Sequence, residues 1–274
     1  MKPRPARPVL IRGGGELASA AARLLFLSGF QVAVLEREAP LAVRRRVSLA
    51  EAVFTGSAEV EETCGRLVPA SGIRAAWEAG GFVPVAVDPD AVCLAELKPG
   101  AVVDGRMSKR VLDTRIDHAS LVIGLGPGLV AGRDVHAVVE TQRGPGLGRV
   151  IWSGEAEADT SVPSLVAGHG EGRVLRAPTA GVFRGRCRIG DLVRAGDAVG
   201  DVDGALVVAP IAGLLRGLLA DGVPVPTGVK VGDVDPRGRD VDPSRVSDKG
   251  RAVAAGALEA ILIGCNGLAA SLRS

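Results

Sequence analysis

The chain has 274 residues, 47% of them hydrophobic and 3% aromatic, with no Tyr and a net charge of +2. That is long enough for one large or two modest domains with a core of Val, Leu, Ala and Ile. The scarcity of aromatics argues against base-stacking platforms, and the arginines are spread among nearly as many acids, so composition speaks against a nucleic-acid partner. Cys64, Cys93, Cys187 and Cys265 form no C-x-x-C pair, and His118, His136 and His169 stand alone, so the spacing predicts neither a metal site nor a disulfide frame. Met1 to Pro8 is basic and proline-rich without an apolar run behind it, and no uncharged apolar stretch reaches the roughly 20 residues of a bilayer span. The expectation is a cytoplasmic protein with no membrane partner.

The stretch that organises the chain is Val9-Leu10-Ile11-Arg12-Gly13-Gly14-Gly15-Glu16-Leu17-Ala18. A short apolar run enters three glycines. A helical segment follows from Leu17 to Ser28, then a second apolar run from Gln31 to Leu35 that stops at Glu36. Gly13, Gly15 and Ala18 fit the G-x-G-x-x-[G/A] spacing of a dinucleotide-binding turn, in which small residues allow a tight turn and a close backbone approach to a pyrophosphate. Free N–H groups at the helix start, Gly14 and Glu16 among them, face the anion. Glu36, at the end of the second strand, is placed to accept from a ribose 2′-OH and to repel a 2′-phosphate, which favours NAD over NADP.

Further along, Ser48 to Val53 reads as a short helix with a capping box of Ser48 and Glu51. Cys64 to Val68 reads as a strand, Gly72 to Ala79 as a helix and Phe82 to Val87 as a strand. Three more apolar runs end in polar clusters. Ala101 to Val103 leads to Asp104-Gly105-Arg106, with Lys109 beyond. Ser120 to Ile123 leads to Gly124-Leu125-Gly126-Pro127-Gly128. The run from His136 ends at Glu140-Thr141-Gln142-Arg143. Alternating short strands and helical segments predict a Rossmann-like, largely parallel sheet, whose ligands gather beyond the carboxyl ends of the strands. On that reading Asp104, Arg106, Gly124, Gly126, Pro127 and Gly128 join the glycine turn as cofactor-binding residues, the glycine loop as an anion nest. Lys109, Glu140 and Arg143 are substrate-binding candidates. Arg44-Arg45-Arg46 either receives phosphate or forms a solvated face.

From Arg173 the pattern changes to very short strands and recurring Gly-Asp turns. Ala177 to Gly185 (APTAGVFRG) returns as Ala209 to Gly217 (APIAGLLRG), and Val199 to Asp203 as Val231 to Asp235, both offset by 32 residues. Two such half-units suggest a small all-β barrel-sandwich hybrid like the biotinyl/lipoyl carriers. The hairpin joining the halves, Asp203-Gly204-Ala205, has no lysine, so neither biotin nor lipoate is expected. A helix opens at Ser247-Asp248-Lys249 and packs back on the body. The expected organisation is an α/β domain over residues 1–168, the β domain over 169–240, and the helix within 241–274.

The chain resembles the YqeB-type accessory proteins of selenium-dependent molybdenum hydroxylases. The resemblance rests on the Arg12–Ala18 turn, Pro40 to Val53 (PLAVRRRVSLAEAV), Asp104 to Met107 and Ile123 to Gly148 (IGLGPGLVAGRDVHAVVETQRGPGLG). It continues in Lys230 to Arg237 (KVGDVDPR) and Ser247 to Lys249. It departs at Pro145, where the family usually has histidine. The resemblance implies a role in maturing or inserting the molybdenum cofactor, with a hydroxylase as partner and molybdopterin as a ligand, while NAD stays the ligand suggested by the glycine turn and Glu36. No catalytic residue stands out. An NAD-dependent oxidoreductase and a non-catalytic scaffold or sensor remain the alternatives, and self-association stays open.

Overall fold

The computed structural model describes residues 8–107, 113–158, 168 and 170–265. Lys109 and His169 lie outside them, as do the terminal tails, and of Cys265 only the backbone is described.

A nine-stranded sheet forms the larger body. Its strands are β1 (Val9–Arg12), β2 (Val32–Glu36), β3 (Ser57–Val60), β4 (Thr63–Leu67), β5 (Val83–Val87), β6 (Ala101–Asp104) and β7 (Leu121–Leu125). After a two-residue strand β8 (Val130–Ala131) come β9 (Ala137–Val139) and β10 (Val150–Ile151), and β11 (Gly154–Glu155) pairs with β8. The order across the sheet is β10-β9-β7-β6-β1-β2-β5-β4-β3. The inner strands run parallel, and β1, β2, β5, β6, β7 and β9 read as largely apolar runs because both faces are covered. Val9 and Ile11 face α1 (Glu16–Leu27) and α5 (Asp248–Cys265), whose Ala and Leu faces close one core. Leu10 faces the other way, into a core shared with Ile73 and Trp77 of the helix α3 (Ile73–Ala79) and with Leu97 of the four-residue α4 (Leu94–Leu97). Among the described residues no helix is long and apolar enough to cross a membrane.

The expected Rossmann-like parallel sheet is corrected here. The sheet is mixed: β3 and β10 run antiparallel to their neighbours at the two edges. The β3–β4 hairpin turns on Glu61 with φ of +53°, a non-glycine turn that carries no sequence signal. The crossovers beyond β2 are mostly 3₁₀ turns and helices of four to seven residues, including α2 (Ala52–Thr55). The expected capping box does not form. The Ser48 hydroxyl donates back to the Arg44 carbonyl at 2.9 Å, and the segment opens as a 3₁₀ turn at Leu49–Glu51.

The second body holds β12 (Val174–Arg176), β13 (Gly181–Gly185), β14 (Leu192–Val193), β15 (Ala198–Val202), β16 (Ala205–Val208), β17 (Gly213–Leu218), β18 (Pro224–Val225) and β19 (Lys230–Asp235). The biotinyl/lipoyl-like barrel is corrected as well. The repeat forms two separate four-stranded antiparallel sheets, β12-β19-β17-β14 and β16-β15-β13-β18. β14 and β18, equivalent strands of the two half-units, each cross to the other half's sheet. Phe183, Leu215 and Val234 sit at the centre of the shared core.

The segment after β2 ties the two bodies together. Ala39 and Val43 pack on the second core, and the Leu218 N–H donates to the Val43 carbonyl at 2.8 Å. Gly217 has to be glycine for this approach, since a Cβ there would lie 2.8 Å from the Val43 oxygen.

Candidate functional site

At the carboxyl end of β1 the chain turns through Gly13, with φ of +93°. A Cβ on Gly13 would sit 3.1 Å from the Arg106 Cα, so the β6 loop lies directly against the turn. Gly105 is pressed on Ala18 in the same way. β1 is flanked by β2 on one side and β6 on the other, which makes this the point where the chain order reverses and a crevice opens.

The turn's N–H groups divide into two sets. Gly13 donates to the Leu35 carbonyl at 2.7 Å, and Gly14 donates to Glu36 Oε2 at 2.7 Å. Glu36 therefore folds back onto the glycine turn, and its other oxygen accepts from the Arg37 N–H at 2.8 Å. Burial pushes this carboxyl up, against the two N–H groups. The N–H groups of Gly15, Glu16 and Leu17 find no acceptor among the described residues, and Gly15, the N-cap of α1, has no capping side chain. The space over the Gly15 Cα is open. A twelve-residue helix thus carries three unengaged donors at its positive end, with open space over Gly15.

Under the crevice lies a buried charge network. Arg12, 1% exposed, donates to Thr114 Oγ1, the Pro89 carbonyl and Asp113 Oδ2, each at 2.9 Å. Arg106 forks onto Asp104 at 2.7 and 3.1 Å and reaches Asp113 at 2.7 Å. Thr114 closes the ring by donating to Asp104 at 2.5 Å. Burial alone would raise the Asp113 carboxyl, but the two arginines outweigh it and hold it well below the usual carboxylate range. Asp104 and Arg106 are thus brought to the crevice together.

The other expected residues are engaged locally. Gly126, with φ of +75°, gives its N–H to the Val139 carbonyl, and a Cβ there would meet Thr141 Oγ1 at 2.7 Å. Gly124 lies within β7 against Leu129, and Gly128 also has positive φ, of +106°. Pro127, between them, has no N–H to give. Glu140 is buried and accepts N–H bonds from Thr141, Gln142 and Glu157 at 2.6–2.7 Å. Arg143 forks onto Asp248 at the start of α5, at 2.5 and 2.7 Å. His136 Nδ1 accepts from the Val122 N–H at 2.9 Å, in a structural role. Among the described residues no group of histidines, cysteines and acids is placed to hold a metal.

A charged junction between the two bodies, beside the helix start, escaped the sequence reading. Glu16 pairs with the buried Arg44 at 3.3 Å and lies within electrostatic reach of Arg143 and Lys230. Asp235 pairs with Arg237 at 2.8 Å and Arg216 at 3.6 Å, and Asp233 with Arg173 and with Lys230 at 3.6 Å. Among the described residues six cations (Arg44, Arg143, Arg173, Arg216, Lys230, Arg237) meet four carboxylates (Glu16, Asp233, Asp235, Asp248). The Nε atoms of Arg44 and Arg216 are buried without a hydrogen-bond partner. Desolvation lowers the Lys230 ammonium. Within the repeat Lys230 has the uncharged Ala198 as its counterpart 32 residues earlier, whereas Arg216, Asp233 and Asp235 have Arg184, Asp201 and Asp203, so the repeat alone does not mark the junction.

No family model matches the chain. Among solved structures the chain is similar, at low scores, to proteins of the aspartoacylase and succinylglutamate desuccinylase kind. An aspartoacylase family protein from Mesorhizobium loti is 12% identical, covering 84% of this chain and 85% of that one at a TM-score of 0.25. A succinylglutamate desuccinylase/aspartoacylase from Rhodobacter sphaeroides is 13% identical over 84% and 85%, at 0.25. The product-bound ectoine utilization protein EutE (DoeB) from Ruegeria pomeroyi is 20% identical over 31% and 27%, at 0.22. In sequence the chain is similar to the protein YqeB of Escherichia coli strain K12, 46% identical over 255 residues, which are 93% of this chain and 47% of that protein. The chain spans about half the length of this curated relative.

Proposed function

We propose that this protein binds a phosphate-bearing small molecule at the start of α1, and through it serves as an accessory factor in maturing or inserting the cofactor of a selenium-dependent molybdenum hydroxylase. The observation that carries the binding site is the set of unengaged Gly15, Glu16 and Leu17 N–H groups, with open space over Gly15, beside a junction richer in cations than in carboxylates. A helix N-terminus of this kind takes phosphate through N–H donors and the helix dipole. Glu16, the one carboxylate of the first turn, is drawn aside by Arg44. The cofactor role comes from the family resemblance, and it makes a molybdopterin species the ligand to test first. Glu36 keeps NAD as the competing ligand, since its carboxylate lies against the same turn.

The test is thermal stability of the full chain with NAD, NADP, ATP, CTP and molybdopterin species. A ligand at about 100 times its Kd stabilises the fold by roughly 2.7 kcal/mol. The control is Gly15→Asp. An aspartate N-cap supports the helix and fills the free donors with its own carboxylate. The shift is expected with molybdopterin and lost in Gly15→Asp. A shift with NAD alone moves the protein to the oxidoreductase reading, and a shift that survives Gly15→Asp removes the site from α1. Copurification with a molybdenum hydroxylase subunit tests the accessory role separately.

A further inference from the structure

A second cleft lies between the two bodies, on the side of the 43–47 segment that carries Arg46. It encloses about 930 Å³, within the range of small-molecule sites. One wall comes from α2 and β3, with Phe54 39% exposed; the other comes from the loop between β13 and β14 and the end of β17. Four guanidinium groups line it: Arg45, Arg46, Arg186 and Arg188. Arg45 is committed to Glu51 at 2.8 Å and the Leu218 carbonyl at 2.9 Å, and Arg186 to Asp201 at 3.2 Å. Arg46 and Arg188 have no carboxylate partner among the described residues.

The placement of these two is built. Arg46 lies over Gly190, where a Cβ would come within 3.3 Å of both terminal nitrogens, so glycine at 190 leaves room for the guanidinium. Gly190 belongs to the tight turn that begins at Arg188, and Asp191 of that turn spends its carboxylate on the Arg188 N–H at 2.7 Å. Of the acids lining the cleft, Glu51 is held by Arg45 and Asp221 by the Gly185 N–H at 2.7 Å, which leaves Glu59 on the rim. Arg46 and Arg188, from different bodies, thus line one cleft, Arg46 lying against the turn that begins at Arg188, and neither guanidinium is paired with a carboxylate among the described residues, so their donors are left for an anion.

We infer that this cleft is a second anion site, distinct from the start of α1, which takes the phosphate or pyrophosphate of a small organic molecule on Arg46 and Arg188 and lays the organic part along Phe54. Cys187, between Arg186 and Arg188, lines the same cleft and reports on its occupancy.

The experiment is alkylation of the full chain by iodoacetamide, followed by peptide mass spectrometry, with and without inorganic pyrophosphate at moderate salt. Pyrophosphate is expected to slow modification of Cys187 several-fold and to leave Cys64, outside the cleft, unchanged. The double variant Arg46→Gln, Arg188→Gln, two exposed side chains with no carboxylate partner among the described residues, should weaken the protecting affinity by about tenfold or more. Gly15→Asp should leave that affinity as it was. Failure of pyrophosphate to protect Cys187, or protection undiminished in the double variant, overturns the inference. Loss of protection in Gly15→Asp as well would assign the effect to the α1 site. An unchanged far-UV circular dichroism spectrum shows that the variants fold.

Discussion

Gly148 and Gly256 meet backbone to backbone: a Cβ on Gly256 would collide with the Gly148 carbonyl oxygen, and a Cβ on Gly148 would lie 2.5 Å from the Ala252 oxygen. The contact seats α5 against the β9–β10 edge of the large sheet, beside the Arg143–Asp248 pair. Gly256→Ala should therefore overpack this seam and cost about 1–3 kcal/mol, although alanine is the better helix former. Urea denaturation checks this, and an unchanged midpoint would mean that α5 does not sit so close.

The glycine turn makes a paired prediction. Gly13→Ala combines a positive φ with contact on the Arg106 backbone, and should destabilise by about 1–3 kcal/mol. Gly15→Ala meets open space at an ordinary φ of −70° and should stay within about 0.5 kcal/mol. Thermal unfolding of the two single variants separates them. Equal losses would contradict the arrangement.

Glu36 gives the chain a signed pH dependence. Burial raises its folded-state value above the ordinary 4.5, so the folded state holds this proton more tightly than the unfolded one. Its contribution is full below that unfolded value and is lost as pH rises through the higher folded value. Glu36→Gln should flatten this fall, and the stability of the variant relative to the native chain should grow as pH rises above about 4.5. Urea midpoints across that range decide it; parallel profiles would show that the carboxylate titrates normally.

Some of this was legible in the sequence and some was not, for identifiable reasons. The β1–α1–β2 unit could be read because both strands are unbroken apolar runs and Gly13 marks a turn that only a backbone without Cβ makes easily. The sheet edges could not be read. β3 is joined to β4 by a Glu61-Glu62 turn, and β10 is two residues long. The glycine loop at 124–128 was read as an anion nest, but Gly126 spends its N–H on Val139. The junction was invisible for another reason: Glu16, Arg44, Arg143, Arg216 and Asp233 are scattered along the chain, and only folding makes them neighbours.

The network under the crevice predicts a large cost at one buried position. Arg12→Met keeps the bulk of the side chain but strands the Pro89 carbonyl and leaves Asp113 to Arg106 alone. The loss should be about 1–3 kcal/mol, the cost of leaving the buried partners of Arg12 unsatisfied, since Asp113 itself is exposed. Chemical denaturation measures it, and a loss below about 1 kcal/mol would show that water takes over these contacts.

Three consecutive arginines leave the segment after β2 in three directions. Arg44 goes to Glu16 beside the helix start, Arg45 to the Leu218 carbonyl and Arg46 to Gly190 and the second cleft. One short 3₁₀ turn is therefore the yoke of the molecule. It fixes the spacing between the start of α1 and the second cleft, so a one-residue insertion or deletion between Val43 and Val47 would shift both at once, while each body kept its own core.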